Sequence, residues 1–426
     1  MSPTAGKAAA ARTPSAAAGW RDALIAALAG FAAMTAVAAA GLGAAGAGSL
    51  PGGAFPHVLA AVVVMAAGGS VEVSGGAGFL AGADAGISVL PLSVSLAGAL
   101  TAGYCWLRPM RHRAVIGEGE LLARAGQLVL LWLALLTCFA LFARHTFGIS
   151  VGDNPLGELG ELLDASPTVG FRAELPATLG FGLLWILGLV VLALLVSRRT
   201  PLPARLVRFH AAVRPAASAT VLLLLAYVVL GVGVGVVVAA TRGHPSETFA
   251  VVLLGLPNLV WPALTLGLGG SWEGKVEGPF GLPMPQLLDE VLRTPDLSRI
   301  DVGSLAEHDG RAWWLVVVAA VLVLGAGFVA AMRSPGAMKP WQHALHLAVA
   351  LALAVLAICL LGDVQARYGL SLLGIGEVDG LGGQVELRPV LWRTVGLGLL
   401  WGAVAGFLGG LLAGRVRRGA AADRAR

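Results

Sequence analysis

Two carboxylates stand at matching places in this chain, Glu72 and Glu273, each closing a Gly-Gly-Ser-x-Glu run: Gly68-Gly69-Ser70-Val71-Glu72 and Gly269-Gly270-Ser271-Trp272-Glu273. Each run follows an apolar stretch rich in helix breakers. Where a helix is interrupted at membrane depth, freed main-chain groups and a nearby carboxylate can bind a cation or a proton. Paired interruptions in two halves of a chain point to such a site. Ser70 and Ser271 would add hydroxyl ligands. Asn258, held between Pro257 and Leu259 in an apolar stretch, offers an amide that either coordinates a substrate or satisfies unwound main chain. Ser93, Ser95, Thr101 and Thr265 are weaker candidates of the same kind. The competing reading of Glu72 and Glu273 leaves both solvated in the outer headgroup region.

Other chemistry finds little support. There is no GxxxxGK[ST], HExxH, GxSxG or CxxC pattern, so no catalytic residue, cofactor or metal centre is expected, and an enzyme is not. His343 and His346, at i and i+3, lack an evident third ligand and read as helix positions facing the headgroups. Cys105, Cys138 and Cys359 fall inside apolar stretches and imply packing rather than a disulfide framework. Nothing suggests nucleic acid as a partner.

The elements that would hold these residues follow from composition. Hydrophobic residues make up 57% of the 426 and charged residues 12%, against about 25% charged in soluble domains. An all-α polytopic integral membrane protein is expected, with lipid as its surroundings. Ten apolar segments are visible, near 22–48, 56–69, 87–107, 124–143, 176–197, 215–240, 249–270, 312–332, 340–362 and 389–414. If all ten crossed, the basic loops holding Arg108, Arg111, Arg113 and Arg124, and then Arg198, Arg199, Arg205, Arg208 and Arg214, would face outward, against the positive-inside rule. The conflict disappears if 56–69 and 249–270 are re-entrant, which leaves eight transmembrane helices with both termini cytoplasmic in a bacterial plasma membrane. The inside then holds 19 of the 29 Lys and Arg. The first of the two is short, and the second is broken by Pro257 and Pro262, which remove donors and clash with the preceding turn. Kinked full spans remain the alternative.

A second echo supports two parallel pseudo-repeats. Gly180-Phe181-Gly182-Leu183-Leu184-Trp185 returns as Gly396-Leu397-Gly398-Leu399-Leu400-Trp401, with Glu174 and Glu386 upstream. The expected organisation is a disordered cytoplasmic tail at 1–20, membrane halves at 21–214 and 215–414, an outer loop at 271–311 and a basic tail at 415–426. The first apolar stretch is read as an uncleaved span. Trp20, Trp106 and Trp341 are expected at the inner boundary, and Trp313, Trp314 and Trp392 at the outer one. Gly402, Gly406 and Gly410 would let the last helix pack closely on a neighbour. Met284 to Arg293 and the stretch 151–175 read as amphipathic pieces in the outer loops.

The chain resembles the streptophobe family, very hydrophobic multi-span proteins of actinobacteria. The likeness is carried by Leu256-Pro257-Asn258, by Gly278-Pro279-Phe280-Gly281-Leu282-Pro283-Met284-Pro285 with Leu288-Asp289, and by Asp301-Val302-Gly303 through Asp309-Gly310-Arg311 and Trp313-Trp314. The resemblance implies location and class and brings no catalytic residues. Two functions are consistent with the residues. One is a transporter or channel-like protein for a small molecule or ion, with its site at the paired breaks. The other is a non-catalytic envelope scaffold, linked to the cell envelope or cell division, that meets protein partners through its outer loops.

Overall fold

Apolar runs without period-two alternation, placed in lipid, satisfy their main chain as helices. The computed structural model describes residues 16–424 except 51–52, 78–80, 89, 113–116, 149–167, 198–203, 242, 278–297, 336–337 and 373–382. Its helices are α1 (Ala16–Ala44), α2 (Phe55–Ala66), α3 (Leu92–Leu107), α4 (Glu118–Phe142), α5 (Leu175–Val196), α6 (Ala204–Thr241), α7 (Pro245–Gly267), α8 (Val302–His308), α9 (Trp314–Arg333), α10 (Pro340–Leu361) and α11 (Leu391–Arg424). Eight are long and apolar enough to cross a membrane, so the chain is an all-α polytopic membrane protein as expected. The membership of the eight differs in one place. By length α7 qualifies, whereas α3 has 16 residues. A 3-10 turn over Arg108–His112 extends α3 toward the end of the bundle that holds the basic residues. Of the stretch 1–20 expected as a tail, residues 16–20 belong to α1, and the rest lies outside the described residues.

The sequence reading did not foresee strands. β1 (Val71–Ala77), β2 (Ala81–Ser88), β3 (Arg144–Gly148), β4 (Thr168–Ala173), β5 (Trp272–Glu277), β6 (Ser298–Ile300), β7 (Val364–Leu372) and β8 (Gly383–Pro389) form one antiparallel sheet. Its order is β3-β4-β1-β2-β7-β8-β5-β6. The described parts of 151–175 and 271–311 therefore contribute strands and the short helix α8. The piece Met284 to Arg293 lies outside the described residues. Every strand joins a helix at the same end of the bundle, opposite the basic end where Arg124 meets Asp22 and Glu120, and where Arg417 donates to the carbonyls of Ala331, Met332 and Ser334.

The order of elements runs in parallel through the two halves. In the first it is α1, α2, β1, β2, α3, α4, β3, β4, α5; in the second it is α6, α7, β5, β6 with α8, α9, α10, β7, β8, α11. The sheet likewise reads β3-β4-β1-β2 and then β7-β8-β5-β6. Two apolar cores lie beneath it. One is built around Phe31, Met34, Trp132 and Ile186, the other around Trp261, Leu264, Trp272 and Leu351.

α2 starts and finishes at the strand-bearing end. Near its start, His57 donates from Nδ1 to Phe142 O at the end of α4 (2.9 Å) and stacks on the Phe142 ring. Just past its end, Gly69 abuts Thr178 in the first turn of α5. The re-entrant reading of 56–69 matches this path. α7 also keeps to that end. Gly41 near the end of α1 meets Leu253 and Leu254, and Gly267 meets Leu315 in the first turn of α9. Between them the helix is kinked at Gly255 (φ −138°, ψ 17°). Pro257 has no N–H, and its ring crowds the carbonyl of Leu253, which forces the break.

Aromatic and small residues sort as expected with two corrections. Trp313, Trp314 and Trp392 are exposed at the strand-bearing end, Trp392 to 91%, and Trp20 and Trp341 are exposed at the other. Trp106 is buried in the first core instead, on the covered side of α3, whereas Leu100 and Tyr104 of the same helix are exposed. His343 is buried rather than turned to headgroups. Its ring lies under Gly410 and its carbonyl under Gly406. The ridge Gly402, Gly406 and Gly410 packs on α10 at Leu347 and Ala348, at His343 and Ala344, and at Pro340.

Candidate functional site

The paired Gly-Gly-Ser runs are helix endings of one design. Gly68 and Gly269 adopt φ +92° and +90°, a left-handed turn that favours glycine. Around them the hydrogen bonds repeat. Gly69 N–H donates to Val64 O and Gly68 N–H to Met65 O (both 2.9 Å); Gly270 N–H donates to Thr265 O (2.9 Å) and Gly269 N–H to Leu266 O (2.8 Å). This is the Schellman pattern, which satisfies the carbonyls a helix end leaves free. The N–H groups of all four glycines, and the carbonyls of Val64, Met65, Thr265 and Leu266, therefore already have partners.

The second glycine of each run serves close approach. A Cβ on Gly69 would stand 2.9 Å from Thr178 Oγ1, and one on Gly270 would stand 2.9 Å from Thr394 Cγ2. Gly68 lies on Phe181 and Gly269 on Leu397. So the structure brings the two echoed motifs together in each half, with the helix ending seated on the first turns of α5 or α11. Trp185 Nε1–H donates to Ser95 Oγ (2.8 Å), and Trp401 Nε1–H to Leu268 O (3.1 Å).

Glu72 and Glu273 lie one residue inside β1 and β5. Both are exposed. Glu72 stands opposite Arg172 of β4 in the sheet register, with Oε2 3.9 Å from Nη2 and side-chain exposures of 61% and 75%. Glu273 stands between Arg299 of β6 and Arg388 of β8 in register. Cross-strand pairs of opposite charge support a sheet modestly. Both glutamates thus stand on exposed strand positions opposite arginine.

The serines diverge. Ser70 Oγ–H donates to Glu174 Oε2 (3.3 Å), and Glu174 N–H donates back to Ser70 O (3.2 Å). Ser271 is buried and its Oγ accepts from Arg299 Nη2 (3.2 Å); Val390 N–H donates to its carbonyl (3.0 Å). Val390, not Glu386, therefore takes the place of Glu174 in the second half. Glu386 sits within β8, opposite Lys275 and ion-paired to Arg388.

Asn258 satisfies main chain. Its Oδ1 accepts from Leu92 N–H (3.2 Å) and its Nδ2–H donates to Leu90 O (2.8 Å), both at the start of α3. Beside it, Ser93 inserts its hydroxyl into the broken ladder of α7, donating to Val252 O (2.8 Å) and accepting from Leu256 N–H (3.0 Å). Together they tie the first half to the second. Thr265 donates to Pro262 O (2.7 Å) and accepts from Trp272 Nε1–H (2.9 Å), while Thr101 donates to Ala97 O within its own helix. Sequence reasoning ranked Ser93 low. The only signal for its role was the nearby Pro257, which announces a ladder that needs repair.

Among the described residues no group of three or more His, Cys, Asp and Glu could hold a metal ion. Asp301 caps α8 by accepting from Ser304 N–H (3.0 Å), and Asp309 accepts from Arg311 N–H (2.9 Å). These give two of the residues carrying the family likeness a local structural task. Residues 278–289 of that likeness lie outside the described part. Comparison with protein-family models, with curated proteins and with solved structures finds no match to this chain.

Proposed function

We propose that this chain is a non-catalytic envelope scaffold of a bacterial cytoplasmic membrane, with both termini inside and the sheet displayed on the outer face. The observation that carries the reading is the placement of Glu72 and Glu273, each exposed on a strand opposite arginine, above helix endings whose main-chain donors are already used. Sidedness is supported by Arg108, Arg111, Arg333 and Arg417 gathering at the end away from the sheet. The matching element order supports reading the halves as repeats of one unit, and the likeness to the streptophobe family belongs to the same proposal.

The test is flux. The purified protein is reconstituted in liposomes, and potassium- and proton-driven fluxes are compared with those of empty vesicles and of Glu72→Gln/Glu273→Gln. No flux above background in either protein is expected. A flux that the double variant abolishes while remaining folded would overturn the scaffold reading in favour of transport at the paired breaks.

A further inference from the structure

The eight-stranded order is one four-strand order written twice, and its central joint is asymmetric. β6 takes in the second half the place of β2, since each pairs with the strand that follows Gly-Gly-Ser. β7 takes the place of β3, since each leaves a helix from the basic end and pairs with the strand leading to α5 or α11. At the centre, β2 pairs with β7 over eight residues, from Ala81 opposite Leu372 to Ser88 opposite Gln365. The two ends of the sheet are β3 and β6, the counterparts of those same two strands. Among the described residues they do not pair with each other.

The helices show the same asymmetry. α7 packs against α1 and α3, but among the described residues its counterpart α2 makes no comparable contact with α6 or α9, the counterparts of α1 and α3. The contact between halves is therefore heterologous and does not close within one chain. Such a contact extends to further copies, as a ring or a filament according to its rotation.

We propose that β6 of one molecule pairs with β3 of a second copy of this chain, repeating the β2–β7 joint head to tail. The register transfers directly. Ile300 holds the place of Ile87, because they stand opposite Trp272 and Val71. Arg172 and Arg388 stand opposite Glu72 and Glu273, which puts Phe147 in the place of Ala366. Since Ile87 faces Ala366, Ile300 faces the partner copy at position 147, Arg299 at 148 and Asp301 at 146. Asp301 then lies diagonal to Arg144, an opposite charge within reach. With only three residues in β6, the strand joint is short, and the free sides of α2 and α9 complete it as α7 and α3 do within the chain. This assembly does not depend on the scaffold reading, because a transporter could oligomerise through the same edges.

The test uses the full chain in native membranes with Cys105, Cys138 and Cys359 replaced by alanine. Thr146→Cys and Arg299→Cys replace exposed residues on the two edges, expected at about 7–8 Å across the joint as diagonal neighbours. Both sites are first shown to react with a monomaleimide, and a short bis-maleimide is then added. Co-expressed single variants should cross-link to each other, neither alone should dimerise, and a chain carrying both should give a ladder. Dimers from either single variant alone, a cross-link confined within the doubly substituted chain, or no cross-link at all would each overturn the proposal.

Discussion

Replacing Gly270 with alanine distinguishes a structural joint from an ion site. The new Cβ would stand 2.7 Å from Thr265 O and 2.9 Å from Thr394 Cγ2. Thr394 can turn, but Thr265 O is main chain in the last turn of α7, held by the Gly270 N–H itself. Relief therefore requires the helix ending to move off α11, an overpacking cost of about 1–3 kcal/mol. At Gly69 the geometry differs. There the Cβ would meet Val64 Cγ1 at 2.5 Å and Thr178 Oγ1 at 2.9 Å, both on side chains. A Gly69→Ala/Val64→Ala double variant should thus show a favourable coupling of about 1 kcal/mol, within the range seen for residues in contact. Gly270→Ala/Thr394→Ser should show much less, because the carbonyl stays in place. Equilibrium unfolding in mixed micelles measures both cycles. A Gly270→Ala protein as stable as the parent, or one rescued fully by Thr394→Ser, would refute the joint. A stable Gly270→Ala protein that has lost cation binding would return the motif to chemistry.

Two further outcomes are expected. Ser93→Ala leaves Val252 O and Leu256 N–H without their partner, so it should cost about 1–3 kcal/mol, and Asn258→Leu a similar amount; the pair should be non-additive in a double-mutant cycle, and a cost near zero for either would remove the tie between the halves. Sidedness follows from cysteines at Gly117 and His308 in a cysteine-free background: on intact cells an impermeant thiol reagent should label His308→Cys, at the sheet end, and reach Gly117→Cys only after lysis, the reverse result placing the sheet inside.

The sequence made the bundle legible where lipid imposes a rule and the joints legible where backbone does. Apolar length marks the long helices, because a span must cover about 30 Å of hydrocarbon. Gly68 and Gly269 stand out because a left-handed helix ending leaves little choice of residue. What that pattern could not reveal was its purpose, since a break that frees donors and a cap that consumes them use the same glycines. The strands were missed for a physical reason. β1 and β2, Val71-Glu72-Val73-Ser74-Gly75-Gly76-Ala77 and Ala81-Gly82-Ala83-Asp84-Ala85-Gly86-Ile87-Ser88, are rich in Gly and Ala, which strands disfavour. β7 and β8 did carry a signal, in Val364-Gln365-Ala366-Arg367-Tyr368 and Val385-Glu386-Leu387-Arg388, where apolar and polar residues alternate. Charge counting alone read those stretches as loops. The prolines of α7 mark its break, but how Pro257 is accommodated rests on Ser93, a residue 163 positions before Leu256 in the chain.

The ladder between β2 and β7 bears on what the two halves can do relative to each other. Eight residue pairs in an antiparallel ladder exchange about eight hydrogen bonds, and at roughly 0.5–1.5 kcal/mol net for each their separation costs about 4–12 kcal/mol. Ser93 and Asn258 add four more hydrogen bonds just beneath, between α3 and α7. A protein that works by rocking its halves needs its states within a few kcal/mol of each other. Parting the halves at the strand-bearing end exceeds that range, so any relative motion must pivot about the sheet and open at the basic end. This arrangement favours the scaffold proposed above, in which the sheet stays in one piece. A substrate passage would need an opening on the sheet side that leaves the β2–β7 ladder intact, and a disulfide between Ala85→Cys and Tyr368→Cys, opposite each other in register, would leave such a passage active while locking any mechanism that parts the two strands.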